Sequence, residues 1–399
     1  MLIYYRFNNF CSFNCDSEFS MNAPGGKVKK RFPDNYVETK EGFDLLKSAV
    51  IVGENAGGKS NFINSLRYLK SLFVINTQVK SLRPYVNAVS LNNDEQPVQK
   101  FELCFRAANK RIYFYELQIN DKGIIFEKLQ YAKSKKATPA LVFETGIDSD
   151  GVWYAIAPRT RDLSTSLNRY IPGEEQANNV KIGLFVSVCA LLGDTDALAV
   201  VDWVTNTLYP ESLDSKTSED IIKQDADLRI LKDEKYLKIF RMVDYSICGI
   251  ELDEEKPYSK TIIIRKDENG NEFRRELQLD STGVREFFAW AVHIFRVVYE
   301  NKVVFADEMD RVLNPILSDR VISFINGTEH NGQFVFSTHN VLHLDLKNYM
   351  KEQIYFVTKN QEELTSEIYS LSDFPEVRYE TTKIYEFYMK GILGGTAFE

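Results

Sequence analysis

The stretch AVIVGENAGGKS, residues 49–60, decides the predicted fold. An apolar strand runs into a glycine-rich turn, and Lys59 and Ser60 then begin a segment with helical periodicity. Gly53, four further residues, Gly58, Lys59 and Ser60 satisfy the spacing of a phosphate-binding loop in full. Glycines let backbone N–H groups approach phosphates because no Cβ stands in the way. The stretch therefore predicts nucleotide binding.

Each residue type in this loop has an expected task. Lys59 is predicted to reach the β- and γ-phosphates of ATP, and the Ser60 hydroxyl to bind Mg²⁺. The helix that follows points its positive dipole end at the anion. The predicted phosphate ligands are Gly53, Glu54, Asn55, Ala56, Gly57, Gly58, Lys59 and Ser60.

A second motif, NKVVFADEMDRVLNP, covers residues 301–315. Its apolar run predicts a buried strand with Asp307 and Glu308 at the carboxyl end, where ligands lie in parallel α/β sheets. Asp307 is predicted to hold magnesium through water, and Glu308 to polarise the attacking water. The alternative is an ordinary strand that ends in two solvated acids, and the loop at 53–60 disfavours it.

A third motif, GQFVFSTHN, covers residues 332–340. Its apolar strand ends in Ser337, Thr338 and His339, and a histidine at a strand end beside the phosphate loop can sense the γ-phosphate. The alternative for His339 is a capping role. Three further histidines are interpreted without a catalytic task, two as packing or surface residues and one as a loop residue: His293, His343 and His330.

A fourth motif, LQLDSTGVREFFAWAVHIF, covers residues 277–295 and settles the predicted class. Ser281 and Gly283 lie at a predicted helix start, which makes a second phosphate-binding helix end. The order of the four motifs, with a long insertion after the first, resembles that of ABC-type ATPases. In that class the Ser–x–Gly helix binds the γ-phosphate held by the opposite protomer. The resemblance implies a head-to-head dimer, or a higher homo-oligomer, with ATP between the heads.

The remaining patterns predict the architecture. Residues 98–133 alternate apolar and polar side chains and turn at Asn120–Gly123, which indicates an antiparallel meander. A hairpin is predicted about Asn269–Gly270, and helices over 180–193 and 196–209. The predicted fold is α/β: an ABC/SMC-type ATPase head with a mixed sheet around the phosphate-loop core, a β meander and a helical insertion.

Three regions are expected along the chain. Residues 1–157 form the N-terminal part of the ATPase head, with the phosphate loop and the meander. Residues 158–246 form a helical insertion that serves as a lid or docking surface. Residues 247–399 form the C-terminal part of the head, with the Ser–x–Gly helix, the Asp–Glu strand and the switch histidine.

Nearly the whole chain resembles the overcoming-lysogenization-type ATPases, most weakly over 158–246. FNNFCSF at 7–13, the meander and ADEMDRVLNPIL at 306–317 are closest to their stand-alone branch, which includes the RloA and AbiL-type phage-defence proteins. The resemblance implies that Glu308 is the catalytic base and His339 the switch. It also implies that Ser281 and Gly283 act in trans, and that Asp310 lies in a loop that meets the other head.

The chain departs from this family at two positions. Many relatives carry an arginine at the position of Cys11 that contacts the nucleotide phosphates, so slow hydrolysis, or use of ATP mainly for dimerisation, is expected. Many also carry a histidine at the position of Asn314. A glutamine-loop residue is not identified by its pattern; Gln96 and Gln99 are the candidates.

Two functions fit these motifs. In the first, the protein is an ATPase that regulates or scaffolds a separately encoded nuclease or toxin in antiviral defence. In the second, it is a DNA-clamping ATPase of the SMC/RecF type in repair or maintenance. A net charge of −8 and the lack of sustained heptads over 158–246 favour the first. Basic clusters at 25–32 and 133–137 are either solvated loops or a local nucleic-acid face.

Composition points to a cytoplasmic protein with no membrane partner. No run of about 18 apolar residues is present, and the first residues lack the pattern of a signal peptide. The five cysteines are scattered and are expected to be reduced thiols.

Overall fold

The computed structural model describes residues 1–74, 79–148, 151–156, 183–212, 225–309, 314–339, 344–360, 362–379 and 383–394. Its strands are β1 Leu2–Asn8, β2 Ser17–Ser20, β3 Tyr36–Glu38, β4 Asp44–Leu46, β5 Ser48–Gly53, β6 Gln99–Arg106, β7 Ile112–Ile119, β8 Ile124–Ala132, β9 Ala140–Asp148, β10 Gly151–Ile156, β11 Leu208–Ser212, β12 Ile247–Glu251, β13 Ile262–Lys266, β14 Glu272–Glu276, β15 Val303–Asp307, β16 Gln333–Thr338, β17 Ile354–Lys359 and β18 Ser366–Ser370. Its α-helices are α1 Lys27–Arg31, α2 Lys59–Leu72, α3 Ala88–Asn93, α4 Phe185–Leu191, α5 Thr195–Asp202, α6 Asp225–Leu231, α7 Glu234–Phe240, α8 Pro257–Lys260, α9 Thr282–Glu300, α10 Pro315–Gly327 and α11 Ile384–Met389.

The central sheet has six strands in the order β11-β15-β16-β5-β17-β18. The first five are parallel, and β18 runs antiparallel to β17. Every residue of β5, β15 and β16 is buried, because both faces of the sheet are covered. Ala49 and Ile51 face one core with α2, whereas Val50 and Val52 face a second core with α9. The residues that follow β5, β15 and β16 therefore meet at one carboxyl edge.

A second, antiparallel sheet has seven strands in the order β10-β9-β8-β7-β6-β1-β2. The predicted meander is confirmed, because β6, β7 and β8 pair in sequence. The side-chain oxygen of Asn120 accepts from the N–H groups of Lys122 and Gly123 in the β7–β8 turn. One face of the sheet packs against α2. The β3–β4 hairpin covers part of the other face, where Phe43 and Ile112 belong to one buried apolar cluster.

The helix predicted over 196–209 ends before its expected limit. α5 continues through one π-turn, Trp203–Thr207, and the chain then enters β11, which pairs in parallel with β15. Pro210 lacks an N–H group, and it disfavours a helical conformation at the residue before it. The segment 158–246 is therefore not wholly helical where it is described, since it contributes a strand to the central sheet.

Basic side chains bind two main-chain carbonyl oxygens of β11 and one of the π-turn before it. The carbonyl oxygens of Asn206, Leu208 and Pro210 lie at alternate positions along the chain. They accept hydrogen bonds from the side chains of Lys302, Lys70 and Arg67 at 2.7, 2.5 and 3.2 Å, respectively. Pro210 has no N–H group to present at this edge.

One buried carboxylate attaches α4 to the antiparallel sheet. Glu127 of β8 is fully buried and accepts hydrogen bonds from the N–H groups of Phe185 and Val186 at 2.7 and 2.8 Å. The Tyr115 hydroxyl donates to the same carboxylate at 3.1 Å. Burial raises the pKa of Glu127 to about 7. A titratable group therefore joins the described start of the inserted segment to the meander.

Candidate nucleotide-binding site

Three of the four sequence motifs meet at the carboxyl edge of the central sheet. β16 lies between β15 and β5, and Thr338 is paired with Val52 at the start of the phosphate loop. On the other side Phe336 is paired with Ala306, so Asp307 follows at the same level. The structure therefore brings together the loop at 53–60, the acids after β15 and the polar end of β16.

The phosphate loop is closed by its own lysine. Lys59 is buried, and its Nζ donates to the carbonyl oxygens of Gly53 and Glu54 at 2.8 and 2.9 Å. Ala56 and Gly58 have left-handed φ values of 60° and 119°. These positions turn the chain sharply enough for the lysine ammonium to lie inside the loop, where a bound phosphate needs positive charge.

Two glycines are required by close approach to β17 and β18. A Cβ at Gly53 would lie 2.1 Å from the carbonyl oxygen of Val357. A Cβ at Gly58 would lie 2.6 Å from Ser366 Oγ, and its φ is one that L side chains rarely adopt. The loop is thus fitted against the strands beside it.

Sequence reasoning missed two serines that support the loop. Ser366 Oγ donates to the carbonyl oxygen of Gly57 at 2.6 Å. The N–H of Ser366 donates to the carbonyl oxygen of Ser12 at 2.7 Å, and the Asn61 amide donates to Ser12 Oγ at 2.9 Å. No spacing rule could have identified Ser366, because it is far from the loop in sequence.

Gln99 binds the main chain next to the turn that carries Ser12. It is buried in β6, and its amide nitrogen donates to the carbonyl oxygens of Asn9 and Tyr85 at 3.0 and 2.8 Å. These contacts fix the turn that carries Cys11 and Ser12. They are structural, which argues against a glutamine-loop role for Gln99. The Gln96 backbone N–H bonds to the Asp94 carboxylate on the exposed surface.

The two acids after β15 are connected through Ser337. The Ser337 hydroxyl donates to Asp307 Oδ1 at 2.6 Å and accepts from the N–H of Glu308 at 2.8 Å. Asp307 and Ser337 are buried. Glu308 has a left-handed φ of 51°, a conformation that costs free energy in a residue with a side chain. The strand end is therefore held in a strained geometry by a neighbouring strand.

His339 follows β16 directly and is exposed, whereas Thr338 is buried. His293 is buried in α9, and His330 lies in the loop before β16. Burial lowers the pKa of His293 to about 3, which keeps it neutral. Of the histidines in the described residues, only His339 lies at the carboxyl edge.

The Ser–x–Gly motif begins α9, as predicted. Ser281 caps the helix by accepting from the N–H of Val284 at 3.4 Å, and its own N–H donates to Asp280 Oδ1 at 2.9 Å. A Cβ at Gly283 would meet no atom of the described residues within 4 Å. The described hydrogen bonds do not join Ser281 to the phosphate loop. α9 spans about 28 Å and packs on β15 and β16.

The segment between β15 and α10 is described only at its ends. Asp310 lies outside the described residues, so its predicted place in a dimer contact stays a prediction. Asn314 is the N-cap of α10, and its side-chain oxygen accepts from the N–H of Leu317 at 2.9 Å. Pro315 occupies the first helical position, where its missing N–H costs nothing. This capping role accounts for asparagine at position 314.

A family model described as "AAA domain, putative AbiEii toxin, Type IV TA system" matches residues 48–345, more than half of the chain. The chain belongs to this AAA-domain family. The match begins at the first residue of β5 and includes all four motifs. No curated protein matches the chain. The family is thus established at the level of the AAA domain.

Three solved structures are similar to this member of the family. The SMC head domain from Thermotoga maritima is 15% identical, covers 92% of this chain and 98% of its own, and has a TM-score of 0.47. An Smc head domain with an extended coiled coil, bound to the C-terminal domain of ScpA and derived from Pyrococcus furiosus, is 14% identical, with coverages of 92% and 96% and a TM-score of 0.46. An SmcHead bound to the C-winged helix domain of ScpA is 13% identical, with coverages of 92% and 97% and a TM-score of 0.43.

The predicted α/β fold class, with a mixed sheet around the phosphate-loop core and an antiparallel β meander, is confirmed. The phosphate-loop strand lies in the middle of a mostly parallel sheet, and an antiparallel meander packs beside it. Within the described residues no helix combines the length and apolar character that crossing a membrane requires.

Proposed function

We propose that this AAA-family protein binds and hydrolyses ATP, closes as a homodimer around the nucleotide, and regulates a separately encoded effector in antiviral defence. The observation that carries the enzymatic part is the Asp307–Ser337–Glu308 connection beside the phosphate loop. It holds two carboxylates at the end of β15, one strand away from β5 across β16, and the proposal assigns Asp307 to magnesium and Glu308 to the attacking water.

The chain's own groups fit ATP and Mg²⁺. Carboxylate and hydroxyl oxygens are ligands that magnesium takes, and Asp307 and Ser60 supply one of each at the same edge. The metal would neutralise charge on the phosphates when bound. Lys59 would exchange its two carbonyl contacts for phosphate oxygens, and Glu308 would accept a hydrogen bond from the attacking water.

Gly283 supports the dimer. Gly283 is the second residue of α9, and no atom of the described residues comes close enough to require a glycine at this position. The open space at Gly283 leaves room for close approach by a group from outside the chain. In the proposed dimer that group is the γ-phosphate held by the partner's phosphate loop, and Ser281 and Gly283 complete the site.

The regulatory part rests on the resemblance to stand-alone phage-defence ATPases. The described parts of residues 183–246 form short helices and one strand, which suit a docking surface better than a long DNA tether. The second candidate, a nucleic-acid clamp, is favoured by one observation, the basic surface described below.

Glu308→Gln tests the enzymatic proposal. The variant keeps the loop and magnesium ligands but loses the base, so we expect ATP binding without hydrolysis and an ATP-dependent dimer in light scattering. Glu329→Gln makes the same change on an exposed residue before β16, at the opposite edge, and should behave as wild type. Wild-type turnover by Glu308→Gln would refute the assignment.

The effector is tested separately, in cells. We expect the product of a neighbouring gene to copurify with the protein, and the Glu308→Gln variant to lose phage resistance while both proteins are still made. Full resistance in cells that carry Glu308→Gln would contradict ATP-driven regulation.

A further inference from the structure

The two basic segments singled out in the sequence flank one turn of the structure. Lys29 of α1 donates to Glu38 at 2.7 Å and to Asp44 at 2.8 Å, and these two acids are paired at the end of the β3–β4 hairpin. On the other side of the turn the N–H of Lys135 donates to the carbonyl oxygen of Glu41 at 2.9 Å. The hairpin thus joins 25–32 to 133–137.

A third basic segment reaches the same turn. Arg106, at the end of β6, forms an ion pair of 2.8 Å with the buried carboxylate of Glu41. Burial acts to raise the pKa of Glu41, but the hydrogen bond from Arg106 and the charge of Lys110 hold it below its usual value. The turn after β6, residues 106–111, therefore lies beside the hairpin as well.

We call residues 25–47, 106–111 and 133–137 the basic surface. Its segments contain twelve Lys and Arg, of which Lys47 is buried, but only four Asp and Glu, whereas the whole chain has 49 and 57. Three of its four acids are paired with Lys29 or Arg106. Its exposed cations are Lys27, Lys30, Arg31, Lys40, Lys110, Lys133, Lys135 and Lys136.

We propose that the basic surface binds the phosphodiester backbone of a nucleic acid. Backbone phosphates are bound by lysine and arginine without an apolar centre, whereas protein interfaces are built around apolar and aromatic side chains. None of the large apolar side chains that are exposed in the described residues lies in this surface. Its composition therefore suits a polyphosphate better than an acidic protein.

The basic surface lies at the opposite end of β5 from the phosphate loop. β4 leads through Lys47 into β5, and the loop follows six residues later, about 20 Å away. Nucleic acid on this surface would leave the nucleotide edge accessible. The inference goes beyond the proposed function, because binding requires neither hydrolysis nor a dimer.

Fluorescence anisotropy with the full-length protein tests the inference. The probes are fluorescein-labelled duplex DNA, duplex RNA and single-stranded DNA of equal length, titrated over a series of salt concentrations. Two variants remove exposed cations from separate segments: Lys27→Ala/Lys30→Ala and Lys133→Ala/Lys136→Ala. Lys256→Ala/Lys260→Ala makes the same charge change on exposed residues at α8 and is the matched control.

We expect micromolar binding at low salt that weakens as salt rises. Each lost phosphate contact reduces the slope of log K against log salt by about 0.9, so each surface variant should lower it by up to about 1.8. At about 0.1 M salt this corresponds to a loss of tens of fold in affinity. The control should retain wild-type binding, and all three variants should retain the wild-type melting temperature. Comparison of the DNA and RNA probes shows which of the two nucleic acids the basic surface binds more tightly.

Three results would overturn the inference. The first is wild-type protein that binds none of the probes at low salt. The second is an equal loss of binding in the control and the surface variants. The third is binding to phosphatidylserine vesicles without binding to any nucleic acid, which would make the surface a membrane contact. None of these results depends on ATP turnover, so failure here is distinguishable from failure of the proposed function.

Discussion

At the scale of single residues, Ser337 has the widest influence on the candidate site. Its hydroxyl contacts the Asp307 carboxylate and the Glu308 N–H at once, so it fixes both acids relative to β16. A buried polar group that loses its partner costs about 1–3 kcal/mol. The position of Glu308, the carboxylate that we propose as the base, therefore depends on a serine that has no proposed role in the chemistry.

Ser337→Ala should lower kcat roughly 10- to 100-fold, because about 1.4 kcal/mol of lost stabilisation is a factor of ten. ATP affinity should stay within a few-fold of wild type, since Lys59 and its loop are unchanged. Steady-state hydrolysis and calorimetric binding measure the two effects. Ser48→Ala removes a buried hydroxyl from β5 that bonds Asn326 and Gln353 at the opposite edge, and it should leave kcat unchanged. Equal losses in both variants would indicate a merely structural role.

Residues in contiguous motifs could be placed from the sequence. Lys59 and Asp307 follow from spacing and from strand ends, because the chain itself brings their motifs to the carboxyl edge. Ser366 could not be predicted. Its contact with Gly57 exists only because β18 pairs with β17 and β17 with β5. Local periodicity does not predict the order of strands in a sheet.

At the scale of elements, the described start of the inserted segment is joined to the meander by Glu127. The folded-state pKa of Glu127 is about 7, above its ordinary value of 4.5, because burial disfavours the charged form. The folded protein therefore binds this proton more tightly than the unfolded chain. The contribution of Glu127 to the free energy of unfolding is therefore fully present below about pH 4.5, and it is lost as pH rises through about 7.

Glu127→Gln should remove this pH dependence, because an amide does not ionise. It should also lower the free energy of unfolding by about 1–3 kcal/mol, since one N–H of α4 would face an amide N–H₂ in place of an oxygen. Urea unfolding across this pH window measures both effects. Glu116→Gln, on the neighbouring strand β7, is the control and should retain the wild-type profile. Identical profiles for wild type and Glu127→Gln would contradict the assignment.

The meander and the hairpin at Asn269–Gly270 could be predicted, because alternation and turn residues are local signals. The end of α5 could not be predicted in the same way. Val200, Trp203 and Val204 continue a helical pattern. From Leu208 onward, however, the chain pairs as a parallel strand with β15. Tertiary pairing prevailed over periodicity at that point.

At the scale of the whole molecule, the prediction concerns the composite site. Gly283→Asp should block hydrolysis, because its carboxylate would face the γ-phosphate held by the partner, and like charges repel. Lys59→Ala should also be inactive, through loss of the phosphate contact. A mixture that exchanges chains should recover about a quarter of the wild-type rate, since half of the dimers are mixed and each has one intact site of two.

Gly327→Asp is the matched control for this experiment. Gly327 ends α10, and a Cβ there would also meet nothing within 4 Å among the described residues, so the variant should hydrolyse ATP normally. Normal turnover by Gly283→Asp alone would show that the site is complete within one chain. The same conclusion follows if exchanged mixtures recover no activity.

The basic side chains along β11 affect how copies of the protein meet in a crowded cell. Their hydrogen bonds occupy main-chain carbonyl oxygens that could otherwise pair with a strand of another chain. Pro210 has no N–H group to donate to such a strand. An extended segment of another chain would therefore find two acceptors of β11 already bonded, which makes strand addition at this edge less favourable. Selection at Lys70, Lys302 and Arg67 would then act on solubility, even if none of them ever contacts a nucleotide or a partner.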